Sequence, residues 1–178
     1  TFLDIKNRLR NEAYANHEEG LLDIAFPRNF NEIKTINGVK VSFYPAGHII
    51  GSVQIKLEYK GKVVVFSGDY KTNPDFITTP FEPVKCHEFI TESTFGLPIY
   101  SWKAETVLQN QLQQWIVNNQ KQNKTSVFFG YSLGKAQRIM SLVDGIDEVY
   151  VHSAINNLNQ AISKSGITKI TFFFIYII

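Results

Sequence analysis

Cysteine occurs once in this chain of 178 residues, at Cys86. A single thiol can form neither an internal disulfide framework nor a cysteine-rich zinc site, which leads us to expect a reducing, cytoplasmic setting. Charge of one sign is also scarce: 18 Lys and Arg against 16 Asp and Glu leave a formal charge of +2. Contact with nucleic acid would therefore rest on a local basic patch, not on a global excess. Internal repeats and low-complexity linkers are absent, and so is any apolar run of bilayer length. The densest apolar stretch, "ITFFFIYII" at residues 170–178, is too short to span a membrane. As an exposed end it would promote aggregation. The chain also opens on Thr1 without a charged leader and apolar stretch. Together these features suggest an internal piece of a longer protein, or a translation that ran past its reading frame.

What is present reads as an ordinary globular mixture, 44% hydrophobic and 19% charged. Phe2, Leu3, Ile5 and Leu9 suit one face of a short helix. In "EIKTINGVKVSFYPA" two alternating runs flank Asn37-Gly38, a strong hairpin signal. A second hairpin is expected in "SVQIKLEYKGKVVVFSGD", turning at Lys60-Gly61. Its first strand alternates through Val53, Ile55, Leu57 and Tyr59, which predicts one wet face. Its second, Val63 to Phe66, is apolar throughout and predicts burial on both faces. From Lys85 the rhythm changes. "HEFITES" reads as a strand, Lys103 to Gln120 as a helix with Val107, Leu108, Leu112, Trp115 and Ile116 on one face, "TSVFFG" as a strand and "LGKAQRIMSLV" as a helix. "EVYVH" then reads as a strand, "AINNLNQAISKSG" as a helix, and a last strand closes the chain. Alternating strands and helices imply a parallel sheet with crossovers. The fold class is therefore α/β, with β-hairpins in the first half, and "GLPIYSW" is the natural place to divide domains 1–100 and 101–178.

Chemistry concentrates at two points. His48, in "PAGHIIGS", stands where a strand leaves its sheet, and Asp69, in "SGDYK", follows a strand apolar enough to be central. For His48 alone a hydrogen-bonded loop side chain is the plainer reading. A buried Asp69 would need a partner, either Lys71, a helix cap or a metal ion. The two together, imidazole and carboxylate with glycine at 47, 51 and 68, suit a divalent zinc or manganese site. The other histidines, His17, His87 and His152, lack the spacing that would complete it.

"PAGHIIGS", "FSGDYK" and "ITESTFGLPIY", in this order, resemble consecutive motifs of the β-CASP branch of the metallo-β-lactamase-fold nucleases. The likeness is greatest to bacterial DNA-ligase-associated exonucleases. It covers roughly residues 30–165 and includes "GYSLGKAQRI", a strand-loop-helix segment of the β-CASP insert. That last string lacks the spacing of a phosphate loop. The resemblance implies a partial αββα sandwich followed by part of a β-CASP domain with parallel strands. It makes His48 a metal ligand and Asp69 the carboxylate that bridges two divalent ions, zinc above manganese. Glu92, in "TEST", would be a catalytic acid that orients a ligand histidine, which fixes its tautomer and strengthens it as a donor. The plainer reading of Glu92 is a capped turn.

The family's upstream His-x-His-x-Asp-His string does not occur here, nor do the later β-CASP histidines. The resemblance therefore implies part of a two-metal phosphodiesterase, inactive alone, acting as a DNA exonuclease on single strands and associating with a DNA ligase. No membrane is involved. An RNA-processing nuclease and a non-catalytic remnant are the alternatives, and a hydrolase of thioesters or lactams is disfavoured by the segment after residue 100. Lys71, Lys103, Lys135 and Arg138 are candidates for the nucleic-acid groove, with Tyr70, Phe95 and Tyr100 able to stack on bases.

Overall fold

Asn37 and Gly38 both adopt positive φ, 49° and 82°, and so do Lys60 and Gly61, at 47° and 80°. Two consecutive positive-φ residues make the turn whose twist matches a right-twisted hairpin. Each pair joins adjacent antiparallel strands in the computed structural model, which describes residues 28–146 and 149–165. The first hairpin is β1 (Lys34–Ile36) and β2 (Val39–Pro45); the second is β3 (Val53–Tyr59) and β4 (Lys62–Phe66). A fifth strand, β5 (Glu88–Ile90), pairs parallel to β4, giving one sheet in the order β1-β2-β3-β4-β5. Because β2 and β4 each run antiparallel to β3, strands β2, β4 and β5 share one direction. Their carboxyl ends lie at one edge of the sheet.

The faces depart from the simple alternation. Gln54, expected on the wet face of β3, is fully buried, while Ile55 is part-exposed. The Gln54 amide explains this, since its Nε2 donates to the Pro45 and Glu82 carbonyls, each at 2.8 Å. Strand β4 is not buried on both faces either: Val65 is covered, but Lys62 and Phe66 are exposed. Phe66 lies between Ile55 and Ile90 across the register. One face of the sheet is therefore apolar and half-open.

The chain forms two compact units, Thr1–Asn73 with Thr78–Thr94, and Pro74–Ile77 with Phe95–Ile178. The first holds the sheet. The second holds α1 (Glu105–Gln120), α2 (Lys135–Leu142) and α3 (Ser153–Lys164). A bidentate ion pair links α1 to α2, with Arg138 Nε donating to Glu105 Oε1 at 2.9 Å and Nη2 to Oε2 at 2.7 Å. A groove of about 480 Å³ between these helices is lined by Leu108, Leu112, Trp115, Ile139 and Leu142 among others. At the start of α2, Gly134 N–H donates to Gln137 Oε1, and the buried Gln137 side chain donates to Ser132 O and Asn159 Oδ1. "GYSLGK" is thus a turn into a helix, locked by a buried amide network.

The parallel sheet expected in the second half is not formed among the described residues. Residues 125–130 and 149–152 are not in strands there, and Phe129 is 90% exposed. A hairpin strand carries its partner two residues away, whereas a parallel strand must be met by one delivered across a crossover. The expected helix at residues 2–9 and the closing strand after 165 lie outside the described residues. No helix among the described residues is long and apolar enough to cross a membrane.

Candidate metal centre at the sheet edge

The shared direction of β2, β4 and β5 decides the site. His48 follows β2, Asp69 follows β4 and Glu92 follows β5, so all three emerge at the same edge. The strands of His48 and Asp69 are not neighbours, because β3 runs between them. Two strand spacings are roughly 9.6 Å, so the loops must lean toward each other. Lys71 N–H donates to Ala46 O at 3.0 Å, and Thr78 Oγ1 to Gly47 O at 3.3 Å. Gly47 makes the approach possible. Its φ is +70°, and a Cβ there would lie 2.4 Å from the Lys71 carbonyl oxygen. Only glycine meets both demands.

Beyond Gly47, the Ser52 hydroxyl accepts from His48 N–H at 3.0 Å and Ile49 N–H at 3.2 Å, folding "HIIGS" into a tight loop. His48 Nε2 then stands 3.8 Å from Asp69 Oδ2. Side-chain exposures of 43% and 76% show that Asp69 is not the buried carboxylate expected from its apolar strand. It emerges past the strand end into water, so burial does not force a partner on it. On the far side, Ser67 N–H donates to Ile90 O at 2.9 Å and Ser67 Oγ to Thr91 Oγ1 at 3.3 Å. These bonds carry the β4–β5 alignment past the last ladder pair, to Thr91 and Glu92.

Glu92 Oε2 accepts from Thr94 N–H at 2.6 Å. The carboxylate caps its own turn, which is the plainer of its two sequence readings. Its pKa is held below the usual value first by that amide, then by the Thr94 side chain, with a smaller contribution from the charge of nearby His48. The remaining described histidines have structural partners. His87 Nδ1 accepts from Val63 N–H at 2.9 Å, and His152 Nδ1 accepts from Ala154 N–H at 3.2 Å at the start of α3. His17 lies outside the described residues.

Donors bound to one zinc ion sit about 2.0–2.1 Å from it. A His48–Asp69 separation of 3.8 Å is within reach of a shared ion. The pair supplies the right donor types but only two positions. No group of three or more His, Cys, Asp or Glu suited to a metal occurs among the described residues.

The proposed groove residues are differently occupied. Arg138 is committed to Glu105, which also holds its guanidinium charge more firmly. Lys135 lies over the Tyr131 ring at 5.5 Å, and Lys103 Nζ donates to Gln111 Oε1 at 3.0 Å. Lys71 sits beside the centre through its backbone bond to Ala46. Tyr70 packs against Phe81 and Phe89, whereas Phe95 and Tyr100 join Trp102 in a second cluster. Sequence reasoning overlooked Ser52, Gln54 and Trp102. A serine four residues after a loop histidine was the available signal for the first; the other two carry none that spacing exposes.

No family model matches the chain. It is 30% identical over 129 residues to a probable DNA ligase of Opitutus terrae, covering 71% of this chain and 13% of that protein. It is 27% identical over 139 residues to the endoribonuclease ysh1 of Aspergillus fumigatus, covering 76% and 16%. The chain thus spans about a seventh of the length of these relatives. A crystal structure of an Enterococcus faecalis protein of unknown function superposes with a TM-score of 0.58 at 13% identity, over 85% of this chain and 37% of that one. That likeness concerns the fold alone, a mixed α/β arrangement. The chain's homologues are β-CASP metallo-β-lactamase nucleases. Within that class they include both ligase-associated and RNA-processing proteins, the latter of the Ysh1, cleavage-factor and RNase J-like kinds.

Proposed function

We propose that this chain is part of a metal-dependent phosphodiesterase, in which His48 and Asp69 hold divalent ions at the carboxyl edge of the sheet. The observation that carries this reading is the convergence of β2, β4 and β5, with His48 Nε2 3.8 Å from Asp69 Oδ2. Two divalent ions, zinc or manganese, would supply a hydroxide near neutral pH and offset charge on the phosphodiester. Asp69 would bridge them and His48 would ligate one, the remaining ligands coming from outside the described residues. Glu92, kept ionised by its Thr94 bonds, is suited to accept an imidazole N–H and orient a ligand ring. The partial αββα sandwich and β-CASP insert belong to the same proposal.

The substrate is a single nucleic-acid strand. Exonucleolytic action on DNA in repair, beside a ligase and in the cytoplasm, is supported by the likeness of "PAGHIIGS", "FSGDYK" and "ITESTFGLPIY" together to ligase-associated enzymes and by the relative named a probable DNA ligase. RNA processing is the second reading, favoured by relatives named endoribonucleases. Single- and double-stranded DNA and RNA, assayed with zinc or manganese on a longer protein that supplies the remaining ligands, separate the two. Metal-dependent cleavage lost in Asp69→Ala is the expected result. Absence of cleavage on every substrate, or equal cleavage by the variant, overturns the assignment and leaves a non-catalytic remnant.

A further inference from the structure

Phe95, Tyr100 and Trp102 stand together in the second unit, three residues and more beyond Glu92 in the chain. The Phe95 ring lies 5.1 Å from Tyr100 and 5.1 Å from Trp102, perpendicular to both within a few degrees, at 83° and 89°. The Tyr100 and Trp102 rings, each braced by it, are nearly parallel, 9° apart with centroids 6.4 Å from each other. Despite this mutual packing the cluster is open, with Trp102 61% exposed, Phe95 55% and Tyr100 43%. Aromatic rings of such size normally dominate the energy of a core or an interface.

The backbone beneath them is fixed. Tyr100 N–H donates to Leu97 O at 3.2 Å, closing a turn with Pro98 at its second position, where the ring presets φ. Rings that already pack against one another have less conformational freedom to lose on binding. The electrostatics of the segment are one-sided. Residues 94–104, "TFGLPIYSWKA", contain one lysine and no carboxylate. Lys103 follows Trp102 directly, and its Nζ is anchored on the neutral Gln111 side chain, so that bond leaves its charge uncompensated.

From these observations we infer that Phe95, Tyr100 and Trp102 form a stacking platform for unpaired bases of a single nucleic-acid strand, with Trp102 as the outer face and Lys103 meeting the adjoining phosphate. Exposed π-faces beside a cation match the two parts of a nucleotide. A duplex hides its base faces and would not use the platform. The inference rests on the nuclease reading for its ligand class. Stacking tolerates every base, so the platform serves DNA and RNA alike and selects for single-strandedness.

The test is binding without cleavage. Fluorescence anisotropy with labelled 15-residue oligo-dT, oligo-U and an abasic strand of equal charge is measured in EDTA on the protein and on Trp102→Ala, Trp102→Phe and Trp102→Leu. The base-bearing strands should bind about tenfold or more tighter than the abasic one. Trp102→Ala and Trp102→Leu should erase most of that difference, and Trp102→Phe should keep most of it. Trp102→Leu preserves the apolar surface that a covering protein segment would need, so retained binding in that variant would overturn the platform in favour of a protein-covered patch. Equal binding of the base-bearing and abasic strands would also overturn it. Far-UV circular dichroism checks folding. Base-dependent binding, with no metal-dependent cleavage by a longer protein that supplies the remaining ligands, would sink the nuclease reading alone, whereas such cleavage with base-independent binding would sink the platform alone.

Discussion

The two units of this chain treat similar apolar strings in opposite ways. "VQIKLEY" and "KVVVF" pair across a two-residue turn, and Asp69 follows the second, while "TSVFFG" forms no strand among the described residues and leaves Phe129 in solvent. Strand propensity is comparable in both, so propensity is not what separates them. The difference is the availability of a partner. Lys60-Gly61 places β4 against β3 at almost no loop-closure cost, whereas a partner for residues 125–130 must come from a distant part of the chain. The lesson is that hairpins carry their own structural context, and parallel strands borrow it.

The comparison can be sharpened first at the sheet edge. In a longer protein that supplies the remaining ligands, Asp69→Ala should reduce metal-dependent cleavage by at least about a hundredfold, more than the loss typical of a residue that merely supports a ligand. The unfolding midpoint should hardly move, because Asp69 is largely solvated. A large drop in stability would make Asp69 a structural residue. Gly47→Ala should come next, destabilising the protein by about 2–3 kcal/mol through a strained positive φ and a clash with the Lys71 carbonyl. Urea unfolding measures this, and an unchanged midpoint would mean that the two loops do not lean together as described. A smaller effect is expected in the second unit. Phe129→Ser should alter stability by no more than about 0.5 kcal/mol, as for an unpaired surface site. A loss several times larger would show that residues 125–130 do find a partner and would erase the contrast.

The last prediction concerns acid. Glu58, beside Lys40, Glu88, beside Lys62, and Glu92, on the Thr94 amide, all have pKa values lowered from the usual 4.5. A folded-state pKa below the unfolded one contributes stability above about pH 4.5 that is lost as pH falls through the folded value. The urea midpoint should therefore decline from pH 6 toward pH 3. Glu58→Gln should flatten part of that decline, and an identical slope in the variant would mean that the Lys40–Glu58 pair is not maintained in solution.

Much of this was legible in the sequence, for identifiable reasons. Asn37-Gly38 and Lys60-Gly61 announced both hairpins because few dipeptides tolerate two positive φ values in a row. The three helices form within the stretches read as helical, although of the face expected on the first only Ile116 is buried while Val107 and Trp115 are exposed. Gln54 was read onto the wrong face because its burial depends on the Pro45 and Glu82 carbonyls, the second 28 residues away. Arg138 was named for the nucleic-acid groove from its charge alone, and nothing local announced that its fork-shaped head is matched to Glu105. In each case the deciding partner lies far off in sequence.

The sequence by itself determined which local units form and which residues are candidates for chemistry, because turn dihedrals, helical period and donor type are properties of a few adjacent side chains. It singled out His48, Asp69 and Glu92 by motif. Only the tertiary structure decided that β3 separates the first two strands, that parallel pairing of β5 brings Glu92 to the same edge, and that Gly47 lets the loops close to 3.8 Å between side chains. Strand direction and close approach are relations between distant segments, set by packing rather than by any local stretch of chain.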